Sequence, residues 1–106
     1  MRIVFDQGTP APLRLELHGH TVATAFELGW SDLKNGEFLR AAESAFDLLI
    51  STDKNLGYQQ NLAGRSLSIL VLPTTNWPEI RRHVTDVVSA VETIKPGEYR
   101  QLQWVE

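Results

Sequence analysis

Asp6 and Asp53 lie far apart along the chain, yet each closes a short apolar run. Ile3-Val4-Phe5 precedes the first, and Leu48-Leu49-Ile50-Ser51-Thr52 precedes the second. Runs of this kind predict buried strands. In a parallel α/β sheet the carboxyl ends of the strands open onto one shared crevice, where ligands bind. Two carboxylates brought together there repel each other. A divalent cation relieves that repulsion, and oxygen ligands select Mg²⁺ or Mn²⁺.

Other side chains are candidates for the same crevice. Glu37 is predicted in the first turn of a helix, where a carboxylate gains ~0.3–1 kcal/mol from the helix dipole. It becomes a third ligand only if that helix begins above the sheet. Asp32, in the preceding loop, competes for that role but reads more simply as a turn residue. Asp6 before Gln7-Gly8 also reads as a turn aspartate, and Asp53 as a helix N-cap. An N-cap and an anion-binding helix start are compatible. Around these acids, Asn35, Thr52, Lys54, Asn55 and Gln60 are the candidate substrate contacts. Gln60 belongs to the amide run Gln59-Gln60-Asn61, which can orient a carboxylate, water or a base edge, or can be a solvated helix side. Lys34, Lys54 and Arg65 are expected to flank the crevice.

Several chemistries are excluded or disfavoured. No cysteine is present, so thiol nucleophiles, thiolate metal sites and disulfides are ruled out. His18, His20 and His83 do not have zinc-ligand spacing. There is no Gly-x-Ser-x-Gly elbow and no phosphate-cradling glycine loop. The net charge of −3 disfavours general phosphate affinity, although a bound cation would offset part of an acidic cluster.

The elements that must position these residues follow from periodicity. The 106 residues fit one domain, 1–106, without a linker, an internal repeat or a low-complexity tract. Neither a signal segment nor a membrane span is expected, and a cytoplasmic protein is the expectation. Residues 3–6 predict a first strand. Thr9 and Pro10 read as N-cap and first helical residue of a helix reaching about residue 17, although Leu13, Leu15 and Leu17 alternate as in a strand. Residues 21–25 predict a second strand. Asn35 then caps a helix whose apolar stripe is Phe38, Leu39, Ala42, Ala45 and Phe46. Residues 48–52 predict the third strand, 54–62 a polar helix, and 66–72 a strand buried on both faces. One long helix carries Ile80, Val84, Val87, Val88, Val91 and Ile94, starting near Asn76-Trp77-Pro78 and stopping at Pro96-Gly97. Residues 99–105 alternate and predict an edge strand. The order β-α-β-α-β-α-β-α-β implies right-handed crossovers and a three-layer α/β/α sandwich around a mostly parallel sheet.

The chain resembles the small PIN-like proteins related to the VapC toxin nucleases. The stretches that carry the resemblance are residues 3–7, Gly29-Trp30-Ser31 with residues 33–39, residues 46–56, residues 59–64 and the aliphatic strand up to Pro73. The resemblance implies a PIN-like fold, clustered acids that bind Mg²⁺ or Mn²⁺, and hydrolysis of RNA phosphodiesters. It further implies the toxin half of a toxin–antitoxin pair, with RNA as substrate, a cognate antitoxin protein as partner, and a homodimer. By position, Asp6 matches the first-strand acid, Glu37 the helix acid and Asp53 the later strand-tip acid, giving all three catalytic and metal-binding roles. Many such nucleases carry a further acid near Asp53, where this chain has Asn55.

Two other readings compete. A catalytically weak or inactive PIN-like interaction module fits the missing fourth acid and the negative charge. A phosphoacceptor receiver domain would use Asp53, Thr74 and Lys95. Receivers cluster two acids after their first strand, however, and here Gln7 follows Asp6. Lys95 is also predicted at a helix end rather than a strand end.

Overall fold

Central parallel strands are buried on both faces, and the three most apolar runs behave that way. The computed structural model describes residues 1–56 and 65–104. In β1 (Arg2–Phe5) every residue after Arg2 is buried, and β3 (Leu48–Ser51) and β4 (Ser68–Val71) are buried throughout. β2 (Thr21–Thr24) and β5 (Tyr99–Gln101) are more exposed and form the two edges. All four pairings are parallel, and the strand order is β2-β1-β3-β4-β5.

Side-chain alternation along the strands builds two cores. Ile3, Phe5, Leu48, Ile50 and Leu70 point to one face, which is covered by a 3₁₀ helix (Ala11–Glu16), α2 (Trp77–Arg82) and α3 (Val84–Thr93). Val4, Leu49, Ile69 and Val71 point to the other, against Phe38, Leu39 and Ala42 of α1 (Asn35–Ala45). Each fully buried aliphatic side chain contributes about 1.5–3 kcal/mol relative to an exposed one. The fold is α/β with an all-parallel sheet between two layers, as the element order implies.

Four local expectations need correction. The segment 9–17 is neither strand nor α-helix. Its 3₁₀ turn buries Leu13 and Leu17 but leaves Leu15 73% exposed, whereas strand alternation would place all three on one face. Its N-cap is Pro10 rather than Thr9. The N-cap of α1 is likewise Lys34, so Asn35 is the first helical residue. The long C-terminal helix is two helices. His83 leaves helical dihedrals at φ −117°, ψ 24°, with its ring stacked on Trp104 at 4.6 Å. The expected edge strand ends at Gln101.

Residues 57–62 of the expected polar helix lie outside the described residues. The start of α2 follows its sequence signal, because Asn76 accepts the Glu79 N–H at 3.0 Å and Pro78 lies in the first turn. Gly97 turns the chain into β5 at φ +77°, a conformation that favours glycine. A Cβ there would also stand 2.8 Å from the Arg65 carbonyl. Among the described residues no helix is long and apolar enough to cross a membrane.

Candidate functional site

Strand order decides where a ligand fits. β1 connects to β2 on one side, and the chain then crosses to β3 on the other, so the order reverses between β1 and β3. In doubly wound sheets the ligand crevice opens at such a switch point, beyond the strand carboxyl ends. A cavity of about 150 Å³ lies there, and both Asp6 and Asp53 line it.

A hydroxyl links the Asp6 carboxylate to the backbone of Asp53. The Asp53 N–H donates to Ser51 Oγ at 3.0 Å, and Ser51 Oγ donates in turn to the Asp6 carboxylate. Ser51 itself is fully buried. The other Asp6 oxygen accepts from Thr9 Oγ1 at 2.8 Å, and that hydroxyl is also 2.8 Å from the Ile50 carbonyl. Asp6 is thereby fixed by donors from both flanking segments. Asp53 Oδ1 accepts the Asn55 N–H at 2.9 Å, which leaves its second oxygen outside this turn. The register Phe5↔Ile50 brings these groups together, since it sets the ends of β1 and β3 side by side.

The rest of the wall is mixed. Gln7 and Gly8 follow Asp6, Trp30 and Ser31 come from the loop after β2, and Asn35 stands at the start of α1. Gly8 passes close to Thr52, since a Cβ there would lie 2.6 Å from Thr52 Oγ1 and one of the two would have to shift. Trp30 is held edge-on by Phe38 and Phe46, with ring centroids at 5.7 and 6.0 Å.

The expected site residues separate into groups. Asp6, Asp53 and Asn35 line the cavity, and Thr52 abuts the Gly8 backbone. Asn55 closes the Asp53 turn through its backbone N–H. Lys54 is exposed, and its carbonyl accepts from Gln101 at 3.0 Å. Glu37 is exposed in the first turn of α1 and is not among the lining residues. Gln60, with Gln59 and Asn61, lies outside the described residues.

Arg65 does not flank the crevice. It precedes β4 at the opposite end of the sheet and contacts Glu43 at 3.3 Å. The Ser66 N–H and then Arg65 hold the Glu43 carboxyl below its usual range. Lys95 is also at that far end, where its carbonyl accepts from Ser68 Oγ at the start of β4. A receiver-type lysine beside Asp53 is therefore not present at position 95.

The three tryptophans are half-buried anchors. Trp77 and Trp104 pack on one core and Trp30 on the other. His20 lies 3.0 Å from Glu92, away from the crevice. Sequence reasoning missed Ser51 and Thr9, the two hydroxyls that orient Asp6.

A hard cation suits this donor set in type. Two carboxylates and a hydroxyl are oxygen ligands, and Mg²⁺ commonly takes only one or two protein carboxylates and keeps several waters. Among the described residues no group of three or more His, Cys, Asp and Glu side chains is placed to hold an ion. The candidate is thus a two-acid site. Fold and crevice together define an α/β protein with a doubly wound parallel sheet and an acid-lined pocket at its switch point. No family model, curated protein or solved structure matches the chain.

Proposed function

We propose that the crevice binds Mg²⁺ or Mn²⁺ and hydrolyses RNA phosphodiester bonds. The supporting observation is the meeting of Asp6 and Asp53 in one pocket at the β1/β3 switch point. Asp6 and Asp53 would hold the ion, with Ser51 and Thr9 keeping the Asp6 carboxylate in one orientation. A bound ion supplies an activated water and polarises a phosphoryl oxygen. Asn35, which lines the pocket, and Thr52 and Asn55, which flank Asp53 in sequence, would contact the phosphodiester or its water. Trp30 and Leu33 line the same pocket. In the finer form of this reading the protein is the toxin of a toxin–antitoxin pair, a homodimer held in check by a cognate antitoxin and acting in the cytoplasm. Glu37 joins the site in that form only if α1 shifts on binding.

A second reading is favoured by the acid count. With two acids rather than three in the pocket, the chain would bind a partner through a PIN-like shell without turnover. Calorimetric titration with Mn²⁺, run beside cleavage of single-stranded RNA, separates the two. D6N and D53N should each weaken Mn²⁺ binding by at least about tenfold and abolish cleavage, and E37Q should leave both within about twofold. Mn²⁺ binding without cleavage supports the module. Cleavage that survives both D6N and D53N refutes the nuclease reading.

A further inference from the structure

The acid crevice has a second chemical character that a divalent ion does not use. Its buried lining residues are, Ser51 apart, all apolar: Ala25, Phe38, Leu39, Leu49 and Leu56. They belong to the core between the sheet and α1, against which Trp30 and Leu33 also pack. Asp6 and Asp53, with Gln7 and Asn35, are half-buried or exposed. The pocket therefore runs from an acidic mouth to an apolar floor.

Charge and size narrow the occupant. No lysine, arginine or histidine is among the described residues lining the pocket, so the positive charge that complements its two carboxylates must come with the ligand. Ser51 and Thr9 orient the Asp6 carboxylate, and the Asn55 N–H takes Asp53 Oδ1, which leaves the second Asp53 oxygen as an acceptor. An ammonium group brings N–H donors and a positive charge to such acceptors. Hydrated Mg²⁺ or Mn²⁺ also suits the acids, but the waters it keeps find no hydrogen-bond partner on an aliphatic floor. A hydrocarbon covers that floor. A cavity of about 150 Å³ takes one benzene-sized group, so the chain that fits carries about four carbons.

We propose that the crevice binds a primary alkylammonium ion, with its nitrogen at Asp6 and Asp53 and its chain on the floor formed by Leu39, Leu49 and Leu56. The inference goes beyond the nuclease reading and does not depend on it. Both ligands need the same two acids, so an amine at the mouth excludes the divalent ion. A free alkylamine carries this group, and so does a lysine side chain, whose ammonium stands on a butyl stem.

The test is a chemical-shift titration of the intact isotope-labelled protein with methyl-, ethyl-, propyl-, butyl- and hexylammonium chloride. Affinity should rise about fourfold with each methylene up to butyl, the gain from taking one out of water, and level off at hexyl. n-Butanol should bind at least about tenfold more weakly than butylammonium, because it lacks the charge that strengthens hydrogen bonds to carboxylates. D53N should weaken butylammonium binding about tenfold and leave the gain per methylene unchanged. Blocked lysine (Nα-acetyl-lysine methylamide) binding as tightly as butylammonium supports a lysine side chain as the source, and butylammonium binding alone supports a free amine. Affinity that ignores chain length, or that is equal for butanol and butylammonium, overturns the assignment. Mn²⁺ binding without butylammonium binding overturns it too and leaves the nuclease reading standing. Butylammonium binding without Mn²⁺ binding upholds the assignment and removes the nuclease reading, and a protein that binds neither overturns both.

Discussion

Replacing Ser51 with alanine tests whether one buried hydroxyl holds the Asp6 carboxylate against the Asp53 backbone. The substitution removes the acceptor of the Asp53 N–H and the donor to the Asp6 carboxylate. A buried donor left without a partner costs about 1–3 kcal/mol, and a hydrogen bond to a charged group is worth about 1.5–3 kcal/mol. Asp6 and Asp53 are only half-buried, so water can replace part of each bond. The low end of both ranges applies, giving a loss of about 2–3 kcal/mol. For a domain of this size that lowers the melting temperature by roughly 8–20 °C. Thermal unfolding followed by circular dichroism measures it. S44A serves as control, because that exposed hydroxyl donates only to the Ala41 carbonyl within α1, and its removal should change stability by less than about 0.5 kcal/mol. Mn²⁺ affinity in S51A should also fall by about 10- to 100-fold, as when a ligand loses the group that orients it. An S51A protein that melts within about 2 °C of wild type would refute the reasoning.

G97A should be more destabilising than G29A in urea titration. Both positions have positive φ, but only at Gly97 does the added Cβ meet backbone, the Arg65 carbonyl at 2.8 Å. G29A should cost about 1 kcal/mol and G97A clearly more; equal midpoints would contradict the packing argument. Acid should destabilise the fold through three carboxyls held below their ordinary range. Arg14 lowers Glu27 to about 2, the Ser66 N–H lowers Glu43, and Arg100 lowers Glu98. Their contribution is fully present above the unfolded glutamate pKa of about 4.3 and is lost as pH falls through the folded values. Urea midpoints should therefore drop between about pH 5 and about pH 2.5, and E27Q should flatten that slope; a slope unchanged in E27Q would sink the Glu27 contribution.

The strands and their direction could be read from sequence because the apolar runs 3–5, 48–50 and 69–71 are short, dense and separated by helical periodicity. The meeting of Asp6 with Asp53 follows from the same reading, since strand tips in a parallel sheet share one edge. Ser51 and Thr9 could not be read that way. Their partners depend on β1 lying beside β3 in the register Phe5↔Ile50, and nothing local announces adjacency. Thr9 before Pro10 carries a valid capping signal, but its hydroxyl goes to Asp6 and the Ile50 carbonyl instead. The break at His83 was invisible for a related reason. No glycine or proline marks it, and its ring stacks on Trp104, far along the chain. The place of Arg65, in contrast, is open to the reasoning that joins the strand tips, because it precedes the run 66–72 and the start of a parallel strand lies at the end away from the crevice.

The position of β1 in the sheet has a consequence for how the chain is made. Its neighbours on both sides come later in synthesis, and Ile3, Val4 and Phe5 pair with Leu48, Leu49 and Ile50. A ribosome that has completed β1 has made neither of the strands that flank it in the sheet, and its pairing with β3 waits until β3 has cleared the exit tunnel. Pairings this distant along a chain are slow to form and leave sticky intermediates. Truncation before residue 48 should thus remove the β1–β3 pairing and give an insoluble fragment rather than a partial fold.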